Sequence, residues 1–68
     1  MKAVMTAAET ELEMVQRHIR QGERHVSRQL EIIAEMTRLK QSTTLAESLL
    51  FSFERSLRAH QDHLGGLL

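Results

Sequence analysis

Apolar and small residues return at alternating spacings of three and four along the first half of the chain. Met5, Ala8, Leu12, Val15, Ile19, Gly22, Val26, Gln29, Ile33 and Met36 trace one seam. A half-buried strand would alternate every second residue, so this period predicts a helix. Leu30, Ile32 and Leu39 widen the seam into the broad apolar face of a bundle helix. Arginine and glutamate fill the opposite side, with Glu13/Arg17 and Gln16/Arg20 four apart, where side chains of one helix meet. Thr6-Ala7-Ala8-Glu9 has the form of a capping box. Glu9, Glu11 and Glu13 put negative charge near the positive end of the helix dipole. One long helix is predicted over roughly residues 6–40. Gly22 costs it about 1 kcal/mol relative to alanine, which a helix of that length tolerates.

Gln41-Ser42-Thr43-Thr44 is the one polar break between periodic segments, and Thr44-Leu45-Ala46-Glu47 repeats the capping-box pattern. A second helix is predicted over about 44–64. Its seam is Ala46, Leu50, Phe53, Leu57, His60, Leu64 and Leu67, broadened by Leu45, Leu49 and Phe51, with Glu54/Arg58 as an outer pair. Gly65-Gly66 would end it, because glycine takes the left-handed conformation at helix C-termini without steric cost. The fold class is therefore all-α: an antiparallel two-helix hairpin, one domain over 1–68, joined by a short connection.

The predicted lengths differ. About 35 residues of helix span roughly 52 Å and about 20 span roughly 30 Å. The first helix should overhang, leaving Met5, Ala8, Leu12, Val15 and Ile19 as an uncovered interface. Each large apolar side chain there gains about 1.5–3 kcal/mol on burial. Such a patch marks an interaction surface. The expected occupant is a second copy, giving a homodimer closed as a four-helix bundle. A different helical protein laid along the same stripe is the alternative.

Composition narrows the function more than it reveals it. Sixty-eight residues make one small domain, and a chain of this size buries only about 60% of its unfolded surface. Cysteine is absent, which removes disulfides and thiolate metal sites, and proline is absent from both helices. Nine basic and nine acidic residues cancel, so a nucleic-acid partner is not expected. The loose stripe Arg17, Arg20, Arg24, Arg28 could touch phosphates, but Glu13, Glu23 and Glu31 beside it favour a solvated, salt-bridged face. The apolar run at residues 3–8 is too short for a signal peptide, and nothing approaches a membrane span, so a cytoplasmic protein is expected. Serines lack a nucleophile elbow or a glycine-rich oxyanion loop, and neither an enzyme nor a cofactor is expected.

The candidate chemistry is histidine. His18 and His25 lie seven apart on the edge of the first seam, and His60 occupies the second seam outright. With the turn near residue 42, His60 should face Arg24/His25 and His63 should face Gln21, gathering His18, His25, His60 and His63 within about two turns around Gly22. Imidazoles on facing helices can ligate a first-row metal, with Glu23 or Asp62 completing the shell, or act as a pH switch. The favoured reading needs neither: His60 is a packed polar layer that sets register, and no resident metal is expected.

Arg17-His-Ile-x-x-Gly-Glu-x-His-Val-x-Arg-Gln29, then Ile32-Ile33, Thr44-x-Ala-x-x-Leu-Leu50 and Phe53-Glu-x-Ser-Leu-x-x-His60 together resemble a group of short bacterial proteins, mostly alphaproteobacterial. The likeness covers about two-thirds of the chain. It implies a helical hairpin in a bacterial cytoplasm and carries no activity with it. Those sequences often place a glycine at the connection, where this chain has Gln41-Ser42-Thr43.

Overall fold

Two helices pack side by side and antiparallel, α1 over Glu11–Arg38 and α2 over Thr44–Leu67. The structure, a computed structural model, describes residues 9–68, and they contain no strand. The hairpin is as predicted; its boundaries and register are not.

α1 starts at Glu11 rather than near residue 6. Thr10 is its N-cap: Thr10 Oγ1 accepts from the Glu13 N–H at 3.1 Å, and Glu13 Oε1 accepts from the Thr10 N–H at 2.8 Å. This is the capping box expected at Thr6–Glu9, displaced by one turn; Thr6 itself lies outside the described residues. Glu9 lies just before the N-cap, and Arg17 holds it there. Arg17 Nε donates to Glu9 Oε2 at 2.9 Å and Nη2 to Oε1 at 3.1 Å. The expected Glu13/Arg17 pair is therefore absent, each partner being engaged elsewhere. Glu54/Arg58 forms no ion pair either among the described residues.

α1 ends at Arg38, with Leu39 as C-cap, a little short of the predicted 40. The Lys40 N–H donates to the Thr37 carbonyl at 3.0 Å and the Gln41 N–H to the Met36 carbonyl at 2.9 Å. That pair of bonds is a Schellman ending, and it requires a left-handed residue. Lys40 supplies it with φ 60°, although a residue with a Cβ pays about 1–2 kcal/mol in that conformation. α2 begins at Thr44, as predicted, with Thr43 rather than Thr44 as its N-cap. The Thr43 hydroxyl donates to Glu47 Oε2 at 2.7 Å and caps no backbone N–H, so the predicted Thr44–Glu47 box does not form. At the far end α2 continues through Gly65 and Gly66 to Leu67, and no glycine has positive φ. Glycine permits a left-handed ending without imposing one, and the predicted stop at 64 is overrun.

Very little is fully enclosed. Among the described residues only Val15 (0% exposed), Gln29 (5%) and Ala46 (9%) lie out of solvent. Gln29 Nε2 donates to the Ala46 carbonyl at 2.9 Å. Gln29 is nine residues, about 13 Å, from the end of α1, whereas Ala46 is the third residue of α2. The connection therefore runs back along the last turns of α1 before α2 begins. This slides α2 by nearly two turns relative to the expected register. At the open end His63 Nε2 comes within 3.0 Å of Glu11 Oε2, so α2 reaches the first residue of α1.

The predicted overhang closes as a result. Val15, expected as an exposed interface residue, is the most buried side chain of the hairpin, and Leu12 and Ile19 are partly covered. Met5 and Ala8, the other two expected interface residues, lie outside the described residues.

Candidate functional site: a histidine groove beside an apolar flank

The helices approach closely at Gly22. A Cβ built there would sit 3.1 Å from Leu57 Cδ1 and 3.4 Å from Leu57 Cβ. Glycine is used at this position for space. On one side of this crossing the imidazoles of His18 and His60 meet, ring centres 4.9 Å apart and planes inclined by 49°. One turn toward the connection His25 stacks on Phe53, centres 5.4 Å apart and planes 22° apart. His18, Gln21, Gly22, His25, Ser56 and His60 line a shallow groove of about 150 Å³.

Four histidines were expected around Gly22; the structure brings two of them into contact. His60 faces His18 rather than Arg24/His25, because of the register shift. His63 turns to Glu11. His18 and His25 are a full two turns apart, about 10 Å along the axis, which is too far for one ion. Among the described residues no three histidine, aspartate or glutamate side chains converge on a common point. The register-setting polar layer expected at His60 is supplied by Gln29, the buried seam residue with a partner on the other helix.

The arginine stripe is partly spent on pairing. Arg17 is clasped by Glu9, Arg28 pairs with Glu31 at 3.3 Å, and Arg38 pairs with Glu35. Hydrogen bonding from Arg17 holds the Glu9 carboxyl below the usual carboxylate range, and the same bond raises Arg17. Glu35 likewise raises Arg38. Arg20, Arg24 and Arg28 share an open concavity of about 530 Å³ with Glu23 and Glu31. Its walls come from one helix and carry both signs of charge, three arginines against two glutamates.

Several large apolar side chains remain in solvent, and they are not scattered. Leu39, Leu45, Leu49 and Leu67 are all exposed, Leu45 to 83%. Helical periodicity puts Leu39 three heptads from His18, and Leu49 one heptad from Ser56. These leucines therefore share the flank that holds the histidine groove. Leu30 lies on the other flank, and Phe51 on the back of α2, where the Arg55 guanidinium sits 5.8 Å from its ring centre. Comparison with protein-family models, with curated proteins and with solved structures finds no match for this chain. The site is read from its own chemistry. No helix among the described residues is long and apolar enough to cross a membrane.

Sequence patterning found the histidines and missed their neighbours. Thr10-x-x-Glu13 was a legible capping box one turn past the one chosen. The Gln29–Ala46 bond had one signal, a long polar side chain at a seam position. Nothing in the residue types announced the Glu9–Arg17 clasp, which spans eight residues across a helix boundary.

Proposed function

We propose that this chain is a small non-enzymatic helical assembly module, and that it self-associates through the flank bearing Leu39, Leu45, Leu49 and Leu67. One observation carries the reading: among the described residues the hairpin encloses only Val15, Gln29 and Ala46 while four leucines of one flank stay in water. A domain of this size has little stability to spare, and each of those leucines contributes about 1.5–3 kcal/mol when covered.

The flank suits a second copy. Between the leucines lie Ser52, Ser56 and the histidine groove, and Met14 and Ile32 continue it on α1; none of these side chains carries a formal charge. Arg28 and Glu35 at its margin are already paired with Glu31 and Arg38, and Glu11, the charged side chain at the open end of this flank, with His63. A two-fold contact sets a surface against itself, so a neutral apolar surface meets no like charge. Two helices about 36 Å long and together about 20 Å wide offer roughly 700 Å² per chain, close to the roughly 800 Å² per partner of a standard interface. The groove is far smaller than the roughly 300–1,000 Å³ of small-molecule pockets, which argues for docking over catalysis.

Sedimentation velocity at micromolar concentration tests this. The chain should run as a dimer, Leu49→Glu should run as a monomer with reduced helicity, and Phe51→Ser, on the opposite side, should remain dimeric. A well-folded wild-type monomer overturns the reading.

A further inference from the structure

We propose that His18 and His60 form a clamp between the two helices for one first-row transition-metal ion, through one imidazole nitrogen each. The separation is the one such a clamp needs. A metal–imidazole bond is about 2.0–2.1 Å, which puts each ring centre about 3.2 Å from the ion. Two rings meeting at an ion with an angle between about 90° and 109° then lie about 4.5–5.2 Å apart, a range that spans square and tetrahedral arrangements. The observed centres are 4.9 Å apart.

The surroundings admit a cation. The other walls of the groove are Gln21, Gly22, His25 and Ser56, with no lysine or arginine among them. No third histidine or carboxylate reaches the same point among the described residues, so water fills the remaining positions. Such a site ranks metals by the general order for divalent ions, Cu²⁺ above Ni²⁺ and Zn²⁺. His25 is on Phe53 and His63 on Glu11, which makes them internal controls. Both ligands belong to one chain, so the clamp is complete in a single copy, although in the proposed assembly its groove lies within the contact between copies.

The full chain is titrated with NiCl2 by calorimetry at pH 7.5, with a parallel thermal melt. One Ni²⁺ should bind per chain and raise Tm by several degrees, since the ion joins two helices that separate on unfolding. H18Q and H60Q should each weaken it by about tenfold or more, and H25Q and H63Q should leave it unchanged. The monomeric Leu49→Glu chain should still bind, so loss of assembly and loss of the clamp are separately visible. Should H18Q or H60Q fail to fold, electron paramagnetic resonance of the Cu²⁺-loaded wild type decides, two coupled nitrogens being expected. An unchanged melt with no bound Ni²⁺, binding that survives in both H18Q and H60Q, or fewer than two nitrogens on Cu²⁺ overturns the proposal and leaves an aromatic pair only.

Discussion

Gln29 on α1 donates from Nε2 to the Ala46 carbonyl on α2 at 2.9 Å, which makes the buried polar residue of the hairpin the one that fixes how its helices align. Gln29→Ala removes the bond and leaves a gap, and should cost about 1–3 kcal/mol in urea unfolding. Gln29→Met refills the volume and should stay within about 1 kcal/mol of wild type. Its amide NMR spectrum, however, should show doubled resonances for residues near 29 and 46, because an apolar seam no longer favours one register.

Gly22 separates packing from propensity. Alanine there gains about 1 kcal/mol of helix propensity, but its Cβ would press on Leu57 Cδ1 at 3.1 Å. That methyl is the mobile end of its side chain and can move by a few tenths of an ångström. Gly22→Ala should change stability by less than about 1 kcal/mol in either direction, whereas Gly22→Val should lose about 1–3 kcal/mol by overpacking. Thermal melts of the two variants give the comparison.

Lys40 holds the left-handed position of the Schellman ending with φ 60°. Glycine takes this conformation freely, and its greater freedom in the unfolded chain offsets part of the gain. Lys40→Gly should stabilise the hairpin by about 0.5–1 kcal/mol. Lys40→Val should destabilise it, since a β-branched side chain fits that region worst. Chemical denaturation with an unchanged m-value is the measurement.

The Glu9–Arg17 clasp ties stability to acid. Glu9 has a folded pKa below its ordinary 4.5, so the unfolded chain takes up the proton first. Its contribution is fully present above about pH 5 and fades as pH falls through 4.5 and the lower folded value. Tm of wild type should exceed that of Glu9→Gln at pH 7, and the two should converge toward pH 3. A gap independent of pH would mean that the clasp contributes through packing alone.

The fold was legible because both seams repeat at a helical period over many turns and a single polar break separates them. What the sequence left open was set by contacts that cross those periods. Thr6–Glu9 and Thr10–Glu13 are equal as capping patterns; the box at Thr10–Glu13 forms, and Glu9 just before it is engaged by Arg17. Gly65-Gly66 looked like a stop and proved to be helix, because glycine permits a left-handed ending without imposing one. The largest departure was register. Counting symmetrically from the turn put His60 on His25, while the folded-back connection and the Gln29–Ala46 bond put it on His18. The candidate site is therefore a pair where four histidines were expected.

The placement of Val15 bears on how the hairpin comes apart. The best-buried side chain belongs to the open end, near Glu11 and His63, while Leu39 and Leu45 beside the connection remain wet. Closing Glu11 onto His63 spans 52 residues against 17 for Gln29 and Ala46, an entropic difference of only about 1 kcal/mol. Covering Val15 more than offsets it. A hairpin fastened most firmly where its strands of sequence are farthest apart has no cheap end from which to unzip, and amide exchange should report one opening event shared by both helices.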